Sequence, residues 1–157
     1  MIIKLIGSGV ILVCSIFFTI SHRRFEERKL RTLDGLIALI TYIKGQVDCY
    51  ALPIGEILSR LPARIFCDCN CPEGAESIDE IVDKCRIYLE EESLRLAEGF
   101  ASEFGSTFRE EQIRRCDHYI SSLEAERRVL SDEVIKRSRV GSALWICSSL
   151  ALLILLW

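Results

Sequence analysis

From Leu5 to Ile20 the chain reads LIGSGVILVCSIFFTI, a stretch without a single charged residue. Ile2 and Ile3 extend it, and only Lys4 interrupts it near the tip. As a helix it is long enough for a bilayer core of about 30 Å at roughly 1.5 Å per residue. The other end mirrors it. Val140 to Trp157, VGSALWICSSLALLILLW, is also uncharged and would span roughly 27 Å as a helix. In hydrocarbon a helix satisfies its own backbone hydrogen bonds, so two transmembrane helices are expected.

The flanking charges set the expected orientation. Arg23, Arg24, Arg28, Lys29 and Arg31 follow the first segment, and Lys136, Arg137 and Arg139 precede the second. Basic residues stay on the cytoplasmic side. The expected topology is therefore a hairpin in the cell membrane, with both termini outside and the middle in the cytoplasm. A signal peptide would carry its positive charge before the apolar run. Here the charge follows it, which argues against cleavage. The expected division is 1–22 transmembrane, 23–139 cytoplasmic, 140–157 transmembrane.

Half of the 157 residues are apolar and 27% are charged. All 23 acidic residues fall between Glu26 and Glu133, leaving the middle mildly acidic. Nothing in it resembles the basic footprint of a nucleic-acid binder.

The middle carries helical periodicity throughout. Leu30, Leu33, Ile37, Ile40, Ile43 and Val47 form one stripe, with no Pro or Gly separating it from the first apolar segment. Pro53 suits a first helical turn, followed by Ile54, Ile57, Leu58 and Leu61. Pro62 falls near that helix's end, where a short continuation to Phe66 can follow. Ser77-Ile78-Asp79-Glu80 matches a capping box, opening a helix with Ile78, Ile81, Val82, Cys85 and Leu89 inward. Leu94, Leu96, Ala97, Phe100 and Phe104 continue the pattern after an expected break near Glu90–Ser93. Phe108 to Arg139 contains no Gly or Pro and would extend about 48 Å. Its stripe of Ile113, Cys116, Ile120, Leu123, Leu130 and Val134 is interrupted by Arg127. No sustained period-two alternation occurs. The expected fold is all-α: a cytoplasmic bundle of about four to six helices whose first and last members continue the transmembrane pair.

Catalytic motifs are missing. There is no phosphate-cradling G-x-x-x-x-G-K-[ST], no G-x-G-x-x-G and no H-E-x-x-H. Of the two histidines, His22 lies in the basic flank and His118 on the long helix, without a partner motif. Adjacent carboxylates such as Glu90-Glu91-Glu92 do not face one another on a helix. Glu110–Arg114 and Glu111–Arg115 instead have the spacing of surface ion pairs. No catalytic residue, cofactor or small-molecule substrate is expected.

The eight cysteines need separate treatment. Cys14 and Cys147 lie in the apolar ends, Cys85 and Cys116 on apolar stripes, and Cys49 in a turn. Cys67, Cys69 and Cys71, in RIFCDCNCPEGAE (Arg64–Glu76), read as a connection. Their spacing is tighter than the C-x2-4-C usual for zinc, and a cytoplasmic disulfide would be uncommon. A metal site or redox switch on these three is the alternative reading, with Cys49 or Cys85 as fourth ligand.

The order of these signals resembles the stage III sporulation protein AB family. IIKLIGSGVIL followed by HRRFEERKLRTLDGLIALITYI is similar to the family's start. ALPIGEIL (Ala51–Leu58) resembles its Pro-containing turn. Phe104-Gly105 with Gln112 and Leu123 resembles its Phe-Gly segment and long helix, and Lys136 with Arg139-Val140-Gly141 resembles its ending. FGSTFREEQ is shorter than the family's pattern, and CDCNC has no counterpart in it. The resemblance implies a non-catalytic subunit of the channel linking mother cell and forespore. Its bundle would be similar to the inner-membrane platform of type II secretion and type IV pilus systems. The implied partners are the membrane, the secretion-type ATPase of the same complex (stage III sporulation protein AA) and other channel subunits. A cysteine-based membrane regulator and a generic helical membrane adaptor are the rival readings.

Overall fold

The computed structural model describes residues 2–50, 53–72, 74–105 and 108–156; the side chains of 2–12, 15, 18, 19, 50 and 137–156 lie outside the described set. The described residues form six α-helices and no strand, so the all-α expectation holds. They are α1 (Ile2–Tyr50), α2 (Ile54–Ser59), α3 (Ala63–Asp68), α4 (Ile78–Cys85), α5 (Glu91–Glu103) and α6 (Arg109–Leu156), with a 3-10 turn at Arg86–Tyr88. As the absence of Pro and Gly breakers predicts, α1 has no interruption between its apolar start and the charged stretch that follows. Among the described residues no helix is long and apolar enough to cross a membrane. The segments expected to do so, 1–22 and 140–157, fall largely on side chains outside the described set.

The chain divides into two units: Met1–Glu27 with Ser131–Trp157, and Arg28–Leu130. The second holds the core. On α1, Leu33, Leu36, Leu39, Ile40, Ile43 and Val47 are buried. This face is wider than the sequence stripe: Leu36 and Leu39 are buried, whereas Leu30 and Ile37 are only half-buried. Cys116, Tyr119, Leu123 and Leu130 of α6 are also buried. So are Ile57 and Leu58 of α2, Ile78, Ile81, Val82 and Cys85 of α4, and Ala97 and Phe100 of α5. Each large aliphatic side chain removed from water contributes about 1.5–3 kcal/mol, which makes this cluster the main source of stability.

Within this unit α1 and α6 run antiparallel. Asp34 of α1 takes both guanidinium arms of Arg127, Lys44 pairs with Asp117, and Asp48 pairs with Arg109. Partner numbers rise along α1 as they fall along α6. Arg127, which breaks the apolar stripe of α6, is thus the partner of an acidic residue on α1. These pairs are largely exposed and so add little stability beside the core. Their directionality fixes how the helices align.

The short helices are set by local chemistry. Pro53 and Pro62 stand at the N-caps of α2 and α3, one position ahead of the first turn that Pro53 was expected to occupy. Tyr42 Oη donates to the Arg60 carbonyl at 2.9 Å, tying the end of α2 to α1. Ser77 Oγ accepts from the Glu80 amide at 3.2 Å, as a capping residue should. The reciprocal arm differs from the expected box: Glu80 accepts from the Glu76 amide at 3.1 Å. The break between α4 and α5 comes at the 3-10 turn and an extended Leu89.

Gly35 of α1 lies against the end of α3. A Cβ there would stand 2.9 Å from the Asp68 carbonyl carbon and 3.0 Å from the Cys69 nitrogen. Both are backbone atoms that cannot rotate away. Gly35→Ala is expected to destabilise the full chain by about 1–3 kcal/mol, the range for overpacking. Gly45→Ala, on the same helix with nothing within 4 Å, is expected to gain up to about 1 kcal/mol from helix propensity. Urea unfolding midpoints in detergent, with both variants beside the parent, check the opposite signs.

Candidate functional site

The cysteine-rich stretch is the end of a helix. Cys67 lies in the last turn of α3, and Cys69 is its C-cap. Asn70 adopts a positive φ of 59°, the left-handed conformation in which Asn is the commonest non-glycine substitute. The Cys71 amide donates to the Phe66 carbonyl at 2.8 Å, and the Asn70 amide to the Cys67 carbonyl at 3.1 Å. This pair of bonds is the Schellman arrangement that satisfies the last carbonyls of a helix. The alternation of cysteines therefore follows from cap geometry: Cys67 is exposed, whereas Cys69 and Cys71 are turned into the interior.

The three thiols are not brought together with a fourth donor. Among the described residues no group of three or more His, Cys, Asp or Glu side chains could hold a metal ion. Cys69 instead meets Cys85 of α4, whose Sγ donates to the Cys69 carbonyl at 3.1 Å. Side-chain interaction with the neighbouring Cys85 thiol, followed by burial, pushes the Cys69 thiol far above its usual range. Burial, then the neighbouring Cys69, pushes Cys71 up as well. Thiols held protonated in this way are poor nucleophiles and poor ligands. Cys116 sits in the core between α1 and α6, where burial pushes it up to about 11. Cys14 is exposed, Cys49 is exposed within α1 and not in the turn expected for it, and the side chain of Cys147 lies outside the described set. His118 is exposed on α6, its ring 5.5 Å from that of Tyr119.

A second cluster joins α5 to α6. Phe100, Glu103 and Phe104 of the α5 end, with Gln112, Arg115 and Tyr119 of α6, line a shallow notch. Glu103 Oε2 accepts from the Tyr119 hydroxyl at 3.0 Å and from Arg115 at 3.1 Å. Burial, then the Glu103 carboxylate, raises the Tyr119 phenol above its ordinary value. The rings of Phe100 and Tyr119 meet edge to face at 5.6 Å. Gly105, at φ 85°, ends α5 and turns the chain toward α6. Phe104 and Gln112, singled out in the sequence by their order alone, thus share one corner. The Glu103–Tyr119 bond went unread there, although Arg115 and Tyr119, four apart, already lie on one helix face. Of the expected surface pairs, Glu111–Arg115 forms at 3.3 Å. Glu110–Arg114 does not, because Arg114 turns to Glu111.

The described residues define a helical scaffold with buried, protonated thiols and a polar clasp between two helices. The family model for stage III sporulation protein AB matches residues 72–157, more than half of the chain. The chain belongs to that family. The match starts just beyond Cys71 and takes in α4, α5, the notch and α6; the Schellman corner and α1 lie before it. No curated protein and no solved structure shows a significant match to the chain.

The thiol assignments have a direct check. Brief iodoacetamide treatment of the native chain near about pH 8 is expected to modify Cys49 and Cys67. Cys69, Cys71, Cys85 and Cys116 should react only in urea, with peptide mass spectrometry as the readout. The raised thiols also set a pH dependence. The stability from burying a neutral Cys116 is fully in force below about 9, the ordinary thiol value, and is lost as pH rises toward about 11. Cys69 and Cys71 act in the same direction. The urea midpoint should therefore fall with pH above about 9, and Cys116→Ala should shallow that slope.

Proposed function

We propose that this chain is a non-catalytic, membrane-anchored scaffold subunit of a sporulation complex. Helices over 1–22 and 140–157 hold it in the membrane, and the 23–139 bundle stands in the cytoplasm of the mother cell. There the bundle serves as a platform for the secretion-type ATPase of the complex, stage III sporulation protein AA, and contacts other channel subunits.

One observation carries the anchoring part of this reading. Val13, Ile16, Phe17 and Ile20 of α1 are 67%, 59%, 75% and 48% exposed. Their spacing of three and four places them on one side of the helix. An exposed stripe of large apolar side chains is unfavourable in water and natural in lipid. The basic flanks at Arg23–Arg31 and Lys136–Arg139 favour the hairpin orientation. Family membership supports the sporulation context. The acidic bundle, free of catalytic motifs, suits a contact surface better than a reaction centre.

The test uses the full chain in an endospore-forming host. It is expected to resist alkaline carbonate extraction from membranes. The bundle should be cut by protease only in inverted vesicles, and the ATPase should be retained when the chain is captured in mild detergent. Extraction into the soluble fraction, or protection of Ile78 and Leu123 in inverted vesicles, would overturn the anchoring. A chain that holds in the membrane but never retains the ATPase would overturn the platform role.

A further inference from the structure

The apolar stripe of α1 does not end in a mixed surface; it ends on a cation. Val13, Phe17, Ile20 and Arg24 follow one another at spacings of four, three and four, so Arg24 continues the same helix face one turn beyond Ile20. Arg24 is exposed and has no carboxylate partner among the described residues, whereas its neighbour Arg23 pairs with Glu27 at 3.5 Å. The α6 segment of the same unit repeats the order in reverse. Lys136 is exposed and likewise without an ion-pair partner among the described residues, and Arg137 and Arg139 follow it in sequence before the apolar run opens at Val140.

In both segments the layers therefore come in one order. First is the apolar run, then a cationic turn, and only then carboxylates: Glu26 and Glu27 on α1, Asp132 and Glu133 on α6. Arg24 lies about 6 Å along the helix from Ile20. The headgroup layer of a leaflet is roughly 5–8 Å deep. An amphipathic ligand with an apolar tail and an anionic head matches that order; a soluble anion matches only half of it.

We infer that this cationic turn is a binding site for anionic phospholipid headgroups, so that the chain prefers anionic lipid to zwitterionic lipid at its surface. The inference rests on the membrane anchoring proposed above and adds the chemistry of the lipid. Arg24 and Lys136 each engage a headgroup phosphate by charge and hydrogen bond, and the exposed stripe packs along the acyl chains. The carboxylates lie two to four residues further from the apolar run than Arg24 and Lys136, toward the outer edge of the phosphate layer.

The chain's only tryptophans, Trp145 and Trp157, both lie in the terminal apolar segment and give the readout. The full chain is reconstituted into phosphatidylcholine vesicles containing either brominated phosphatidylcholine or brominated phosphatidylglycerol, and quenching of tryptophan fluorescence gives the relative affinity for the two lipids. The expected result is quenching by both, with a severalfold preference for phosphatidylglycerol. The preference should fall by roughly fivefold at most for each of Arg24→Gln and Lys136→Gln, the weight of one cation near an anionic surface. It should shrink as salt is raised and be untouched by millimolar inorganic phosphate. Equal quenching by the two lipids, or a preference unchanged in the Arg24→Gln/Lys136→Gln double variant, overturns this inference and leaves the anchoring intact. Quenching by neither lipid overturns the anchoring and the inference with it.

Discussion

The structure of the Arg28–Leu130 unit depends on two long helices lying antiparallel with a buried apolar face between them and their shorter neighbours. Leu33 to Val47 on α1 and Cys116 to Leu130 on α6 supply nearly half of the buried apolar residues. The helices from α2 to α5 are too short to be stable alone. They persist because Ile57, Leu58, Ile81, Val82, Ala97 and Phe100 are buried in the same cluster. Gly35 shows how closely these layers approach, since α1 gives up a side chain where the end of α3 rests on it.

Helix type was legible from residue spacing because burial on a helix repeats at three and four. The α4 face of Ile78, Ile81, Val82 and Cys85 appears as its spacing implied, and Ser77 caps it. The width of the α1 face was not legible. A stripe predicts burial against one neighbour, whereas α1 is buried on enough sides to include Leu36 and Leu39. Arg127 could not be explained from its own helix, because its partner Asp34 is remote in sequence. The CDCNC stretch carried a usable signal in Asn70, a residue suited to the left-handed position after a helix. The eye goes to the cysteines first, and their even spacing then suggests ligands instead of a cap. Glu103 and Tyr119 meet only because the turn at Gly105 brings α5 back along α6, which no local pattern encodes.

Function follows from how the reactive groups have been spent. Of the thiols that sequence alone offered as ligands, Cys69 and Cys71 are held neutral by burial and by a neighbouring thiol while Cys67 is exposed, and many of the carboxylates are engaged in surface pairs. What remains for recognition is surface: an acidic bundle on one unit, and on the other an apolar stripe bordered by cations. Such a division is in keeping with the scaffold task proposed above. Membership in the stage III sporulation protein AB family puts that task in the context of spore formation.

The contacts between α1 and α6 alternate in sign. Along α1 the partners are acid, base and acid at Asp34, Lys44 and Asp48; along α6 they are base, acid and base at Arg127, Asp117 and Arg109. Sliding one helix along the other until Asp117 met Asp34 would set two carboxylates face to face, a juxtaposition that is costly even where each correct pair is worth little. The charges thus disfavour sliding and add a preference for one register to the packing of the two helices.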